Sequence, residues 1–374
     1  MPREPAAVVP FEAFHQPLSP LYLDYLAGRP RVAPFLGEVG LDLDVLVAAA
    51  DRAVALPRSR EEVSEALVRQ QQGRGAEGAA QRARSLADAD TVAVVTGQQA
   101  GLFGGPLFVL HKALATLGIA RRLEERSGRP VVPVFWVASE DHDFAEVRTV
   151  YVLDRDGAIR QLRYSPHEEP VGRPAHQIVL DDTITPLVAE LDAALPASPS
   201  HEEVVAIVGA CYRPGETLSG AFARLLSRVI PGLVVLDPSD PALKAVVAPV
   251  LAREVGESSP TSRLALETGR ALLEAGYHQQ VPVREGFLNL FVVAERERRA
   301  VGLDGDVIEI RGTGTHLAKA DAVRSVEAQP DPWSPNALLR PVTQDVMLPT
   351  AAYGGGPAEI AYHAQSGSVY AHFG

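Results

Sequence analysis

Ser139-Glu140-Asp141-His142-Asp143 sets four titratable side chains in succession directly after an apolar run, more than a solvated turn needs. Asp141, His142 and Asp143 are the candidate catalytic residues. An imidazole with an ordinary pKa near ~6.5 suits proton transfer at neutral pH, and a neighbouring carboxylate can orient it. Asp141 or Asp143 alternatively suits Mg²⁺, which takes carboxylate and phosphate oxygens. The plainer alternative is that these side chains cap and pair within a tight turn. A second set precedes them: Thr96-Gly97-Gln98-Gln99 opens a stretch to Pro106 that also holds Gly101, Gly104 and Gly105. Two adjacent amides among glycines offer donors and acceptors to a polar ligand. His111 and Lys112 follow. The first is either a ligand contact or a satisfied core histidine, and the second either meets an anion or extends its ammonium to solvent. A third set lies further on, with Ser334, Asn336, Arg340 and Gln344, then Gly354-Gly355-Gly356-Pro357 and Glu359. An arginine there faces an anion or an acidic neighbour, and Glu359 is either a cleft residue or a first-turn carboxylate favoured by the helix dipole.

The elements that must position these residues are legible around the first two sets. Thr91 to Val95 is β-branched and uncharged, as a strand buried on both faces reads. The glycine-rich stretch after it has the form of a ligand-cradling loop. From Leu107 the apolar residues Leu110, Leu114, Leu117 and Ala120 recur at helical spacing, with Pro106 at a tolerated first position and Gly128 and Pro130 at the stop. Val131 to Val137 is a second apolar run. Strand, loop, helix and strand predict one right-handed parallel unit, whose ligands sit beyond the carboxyl ends of its strands. The loop carries neither GxxxxGK[ST] nor GxGxxG, which excludes the common phosphate fingerprints. Gly105 to His111 shares only its last histidine with the HxGH signature of class I aminoacyl-tRNA synthetases.

Taken together, the blocks TGQQAGLFGGPLFVLHKA, PVFWVASEDHDFAEV, LDPSDPALK, SPNALLRPVTQDVMLPT and GGPAEIAYHAQ, with PLSPLYLDYLAG near the start, resemble the bacillithiol biosynthesis cysteine-adding enzymes, the BshC family. The resemblance runs over nearly the whole chain in the family's order. It implies an α/β fold with a Rossmann-like parallel sheet core and helical connecting insertions. The implied activity is the joining of cysteine to glucosaminyl malate, a ligase reaction forming an amide. Amide formation commonly needs a carboxylate activated by ATP with Mg²⁺, so both are candidate cofactors. It also implies a homodimer held by a carboxyl-terminal coiled coil, and this chain is expected to lack that segment, because family members run on past the point corresponding to Gly374.

A net charge of −12 with no basic run argues against a nucleic-acid surface. Cys211 is the single cysteine, which excludes an internal disulfide and a cysteine metal cluster; its simplest reading is a small buried hydrophobe. No apolar run approaches the roughly 20 residues of a membrane helix, and a cytoplasmic protein is expected. Residues 1–90 read as an extended segment with Phe11, Phe14, Tyr22, Tyr25 and Phe35 as anchors, then helices, in which Arg58 to Gln72 presents a solvated charged face. Residues 91–180 read as the first part of the core, ending in a hairpin around Asp156-Gly157, and residues 181–232 as a helical insertion. Residues 233–330 begin with a core strand at Leu233 to Leu236 and a helix capped by Ser239 and Asp240. Strands at Val281 to Val283 and Leu288 to Ala294 follow, then a turn-rich β segment at Ala300 to Glu309. Residues 331–374 are expected to approach through a helix start near Ser334 and return to the same sheet and cleft.

Overall fold

The computed structural model describes residues 18–37 and 42–374; the anchors Phe11 and Phe14 lie outside the described residues. The uncharged run after Thr91 forms β1 (Val92–Gln98), and its side chains alternate between two apolar layers. Ala93 and Val95 pack with Val63, Leu67 and Leu251 on one face, while Val92 and Val94 pack with Ala50, Ala120 and Leu123 on the other. A strand covered on both faces has no polar side to show, which is why the sequence there is continuously apolar. Each fully buried valine in it contributes about 1.5–3 kcal/mol.

β1 pairs in parallel with β2 (Val131–Val137), and β2 with a short strand, Val234–Leu236, that closes one side of the sheet. The strand Thr350–Gly354 pairs in parallel on the other side of β1. Successive strands therefore step outward in one direction, and the last crosses to the opposite side of β1. In such sheets the crevice at that reversal is where ligands bind. The expected strand continues three residues beyond Val95: Thr96, Gly97 and Gln98 pair with Phe135, Trp136 and Val137. Gly97 is required there, because a Cβ would stand 2.8 Å from the Trp136 carbonyl oxygen.

The outer edge at Val234–Leu236 is closed by side chains. Val235 N donates to Gln71 Oε1 at 3.1 Å and Gln71 Nε2 returns a bond to Val235 O at 2.9 Å. Gln70 does the same for Asp237, at 2.9 and 3.0 Å. The two glutamines thus satisfy backbone groups that an open edge leaves unpaired. The expected solvated charged face of Arg58 to Gln72 is present, and the helix has a second, buried face behind it. Glu61, Glu62, Glu65 and Arg69 are exposed, but Val63, Ser64, Ala66, Leu67 and Gln71 of the Arg60–Gly73 helix are buried.

The hairpin around Asp156-Gly157 forms as β3 (Thr149–Leu153) and β4 (Ile159–Arg163). It packs with the helices Ile184–Ala194, His201–Cys211 and Leu218–Val229 around a separate apolar cluster that includes buried Cys211. Burial raises the Cys211 thiol pKa. Counting the edge strand Val234–Leu236 as β5, the chain then builds an antiparallel sheet from β6 (Phe287–Ala294), β7 (Glu297–Asp304), β8 (Val307–Ile310), β9 (Thr315–Ala318) and β10 (Trp333–Pro335), in the order β10-β6-β7-β8-β9. Val281 to Val283 forms no strand, because the Gln365 side chain satisfies both Val281 N and Val281 O, at 3.0 and 2.9 Å. Ser334 lies in β10 and not at a helix start. The helix begins at Arg340, after Asn336 Oδ1 has accepted from Leu338 N and Leu339 N. Asp240 caps the Pro241–Gly256 helix as expected, whereas the Ser239 hydroxyl turns back to Asp237. The strand Thr350–Gly354 is β11. No helix among the described residues is long and apolar enough to cross a membrane.

Candidate functional site

Beyond the carboxyl ends of β1 and β11, at the reversal of strand order, lies a cavity of about 610 Å³. Gly97, Gln98 and Gln99 reach it from β1, and Lys112 from the Phe108–Ser127 helix. Trp136 contributes from β2, and Arg340 from the helix Arg340–Met347. Tyr353 of β11 and Gly356, Glu359 and Tyr362 of the last crossing complete the far wall, with Glu146 and Phe108 on the near side.

A chain of side-chain hydrogen bonds spans the cavity. Lys112 Nζ donates to Gln98 Oε1 at 3.2 Å, Gln98 Nε2 to Gln99 Oε1 at 2.6 Å, and Gln99 Nε2 to Glu146 Oε2 at 3.2 Å. Both amides are oriented by the cation at one end and the carboxylate at the other, so neither can flip without losing both its bonds. Lys112 Nζ also donates to Gly97 O at 2.7 Å and to Glu359 Oε2 at 2.6 Å. Its three N–H donors are thereby all engaged. Glu359 is equally occupied, accepting from Gly356 N at 2.7 Å on Oε2 and from the Tyr353 hydroxyl at 2.7 Å on Oε1. The Lys112–Glu359 pair therefore ties the end of β1 to the loop after β11 and does not face a ligand.

Arg340 and Glu146 differ from that pair. Arg340 donates from Nη1 to Gln344 at 3.1 Å and from Nη2 to the Tyr362 hydroxyl at 3.1 Å. Its guanidinium lies 5.6 Å from the Trp136 ring centroid and 5.4 Å from that of Tyr353. Aromatic faces hold a guanidinium by cation–π attraction while leaving in-plane N–H groups open. Behind it, His363 stacks on Tyr362 at 4.8 Å, and burial together with Arg340 pushes its pKa down to about 3. A neutral imidazole there adds no competing charge. Glu146 keeps Oε1 open toward the cavity. Burial, then Asp141 and Asp143, raise its pKa above the usual carboxylate value.

The remaining candidates stand outside this lining. Thr96 donates to Gly354 O at 2.7 Å and serves the strand junction. The glycine loop uses its own amides: Gly105 N bonds Leu102 O at 2.9 Å, Gly104 N bonds the Tyr212 hydroxyl at 3.2 Å, and that hydroxyl donates to Gly101 O at 3.0 Å. A Cβ on Gly101 would lie 2.7 Å from Gly105 Cα, so both glycines are explained by the tight turn. His111 is exposed on the outer face of its helix. Ser334 accepts from Arg298 Nε at 3.0 Å, Asn336 turns the chain toward Arg340, and buried Gln344 supports Arg340.

The Glu140 to Asp143 run forms a separate cluster at the ends of β2 and β5. Glu140 pairs with buried Lys244, which also donates to the Trp333 carbonyl. Asp141 Oδ1 accepts from His142 N at 2.8 Å, and Asp143 caps the short helix Phe144–Val147 through Glu146 N at 3.1 Å. His142 Nδ1 lies 3.4 Å from Arg298 Nη1, and burial followed by Arg298 lowers its pKa. None of the three catalytic candidates lines the cavity; Asp141 and Asp143 act on it through their field on Glu146, and His142 does not. Sequence reasoning missed Glu146, Trp136 and Tyr353. Glu146 carries a usable signal, since it lies three residues past Asp143 at the same strand end. Trp136 lies within the apolar run that reads as a buried strand.

The family model for the bacillithiol biosynthesis BshC N-terminal Rossmann-like domain matches residues 9–374. A protein of Salinibacter ruber named "Putative cysteine ligase BshC" is 38% identical over 357 residues, covering 94% of this chain and 64% of that protein. One of the same name from Koribacter versatilis is 36% identical with the same coverage, and one from Solibacter usitatus is 42% identical over 76% of this chain and 52% of its own length. The chain spans about half to two thirds of the length of these relatives.

Proposed function

The chain belongs to the BshC family, and from that premise we propose that it supplies the substrate-binding core of a cysteine ligase that joins cysteine to glucosaminyl malate through an amide bond, in bacillithiol formation. The observation that carries this reading is the cavity at the reversal of strand order, where Arg340 and Glu146 present open polar atoms while the other two charges of the lining, Lys112 and Glu359, are paired with each other. Both proposed substrates are small, polar and carry an amine and a carboxylate, which suits a cavity of about 610 Å³ with one open cation and one open anion. ATP and Mg²⁺ would supply the activation that a carboxylate needs before an amine can displace its oxygen. Of the residues present, Arg340 fits an anionic oxygen and Glu146 an amine-bearing group; Glu359 is neutralised by Lys112 and fits neither. A divalent-metal hydrolase built on Glu140 to Asp143 finds no support, because Glu140 is paired with Lys244 and Asp143 caps a helix.

Mass-spectrometric detection of bacillithiol after mixing the chain with cysteine, glucosaminyl malate, Mg²⁺ and ATP tests the reading, with ATP omitted in parallel. Product that requires ATP is the expected outcome. A folded sample that yields no product removes the activity from this chain acting alone and leaves a binding core that works only with a partner.

A further inference from the structure

We propose that Glu146 and Arg340 form a matched pair of subsites for one molecule carrying a primary amine and a carboxylate, with Glu146 receiving the amine and Arg340 the carboxylate. This deepens the proposed function, on which it rests for the identity of the two ligands.

The cavity contains four charged side chains with opposite fates. Lys112 and Glu359 neutralise each other at 2.6 Å; Gly97 and Gln98 take the other two Lys112 donors, and Gly356 and Tyr353 donate to Glu359. Removing that pair from consideration leaves one cation and one anion. Gln99 holds Glu146 Oε2, and Oε1 has no hydrogen-bond partner among the described residues. The Lys112–Gln98–Gln99 chain fixes which oxygen is held and therefore which is presented.

A single presented carboxylate oxygen suits an ammonium, a compact donor needing one strong charge-assisted bond. It does not suit a protein-held divalent metal, because the second carboxylate in this lining, Glu359, is neutralised by Lys112 and already accepts three hydrogen bonds. Asp141 and Asp143 add negative field behind Glu146 and favour a cation in front of it. The guanidinium complements this. Gln344 and Tyr362 hold one side of Arg340, and the aromatic rings of Trp136 and Tyr353 flank it. The donors that remain match the two oxygens of a carboxylate. Cysteine and glucosaminyl malate both carry this pair of groups, so the chemistry is shared and the experiment must separate the sources.

Isothermal titration of the 374-residue chain with each parent and its deletion analogues makes the test. For cysteine these are 3-mercaptopropionate, lacking the amine, and cysteamine, lacking the carboxylate. For glucosaminyl malate they are the N-acetylated form and glucosamine. The parent that occupies the cavity should bind about 10- to 100-fold more tightly than its amine-deficient analogue, as expected for a lost charged hydrogen bond. In Glu146→Gln that preference should shrink to under about twofold, and Arg340→Leu should do the same for the carboxylate-deficient analogue. Affinity for the parent should fall with pH as Glu146 protonates, and Glu146→Gln should abolish that slope. A parent that binds with no amine preference, or a preference intact in Glu146→Gln, overturns the pairing while leaving the family reaction standing. Binding of neither parent to a folded chain overturns both the pairing and the placement of the substrates in this cavity.

Discussion

Two polar clusters sit at the same edge of one sheet, a strand apart, and they are built from the same residue types. The cluster at the ends of β2 and β5 joins Glu140 to Lys244, Ser139 to Asp237, and Arg298 to Ser334 and Pro335 O. Its cations, Lys244 and Arg298, are spent on Glu140, Ser334 and the backbone carbonyls of Trp333 and Pro335, between the parallel sheet and β10. The cluster at the ends of β1 and β11 closes one of its ion pairs, Lys112–Glu359, and uses it to align two amides on Glu146. There Arg340 and Glu146 stay open. Charge density does not separate the two clusters; a cation with open donors lining a cavity, present only at Arg340, does.

The largest effect that follows from the contrast is on stability at the closed cluster. Lys244 is 2% exposed, so Lys244→Met leaves the largely covered Glu140 carboxylate, 12% exposed, without its paired cation. Breaking such a pair from one side costs about 3–5 kcal/mol. Urea denaturation should show a loss of that size. A change under about 1 kcal/mol would mean that water reaches Glu140 and the cluster is not closed.

The parallel unit was readable because a doubly covered strand must be continuously apolar, and Val92 to Val95 and Val131 to Val137 are. The return of Gly354 to Glu359 to the same cleft was readable from the glycines and proline before a helix. Gln98 and Gln99 are legible as polar groups in the loop after a strand, Lys112 and Arg340 as polar groups near helix starts, and the cavity gathers all four. Occupancy was not readable. Nothing local to Asp141, His142 and Asp143 shows that Lys244, about a hundred residues on, takes the adjacent Glu140, or that Arg298 stands against His142. The antiparallel sheet hid for a similar reason. Trp333 to Pro335 is too short to show alternation, and only its pairing with Val292, Phe291 and Leu290 makes it a strand.

Behind the open cluster the same contrast can be sharpened through pH. Burial raises the Asp345 pKa to about 6, against an unfolded value of about 3.9. The folded state therefore holds this proton more tightly. Its contribution to stability is complete below the unfolded value and is lost as pH rises through about 6. Asp345→Asn should gain on the order of 2 kcal/mol at pH 7 and show no gain near the unfolded carboxylate range. An equal effect at both pH values would show that packing and not charge sets the difference.

Lys112→Met tests whether the pair at the open cluster aligns or merely stabilises. Side chains 14% and 21% exposed give a moderate loss of about 1–2 kcal/mol, since Glu359 keeps Gly356 N and the Tyr353 hydroxyl. The alignment role predicts more than that. With the cation gone, Gln98 and Gln99 lose the bond that orients them, and the amine preference measured by titration should weaken although no ligand-facing atom has changed. A variant that is destabilised yet keeps the full preference would make Lys112 a structural tie alone.

The smallest expected effect is the one that discriminates most sharply between the two clusters. His142 has the residue type and setting of a proton-transfer group, but its imidazole faces Arg298 and Phe291 and is held neutral by burial and by that arginine. It does not line the cavity. His142→Ala should therefore leave the affinity of the cavity ligand within about twofold and remove only packing against Phe291, at a cost of about 1 kcal/mol. Asp141→Asn goes one step further, because Asp141 acts on Glu146 through charge. It should lower the Glu146 pKa and shift the pH profile of binding to lower pH without changing affinity at its plateau. If His142→Ala instead abolished binding or product in a folded chain, the ligand would have to extend across the strand from one cluster to the other, and the two would be halves of a single site.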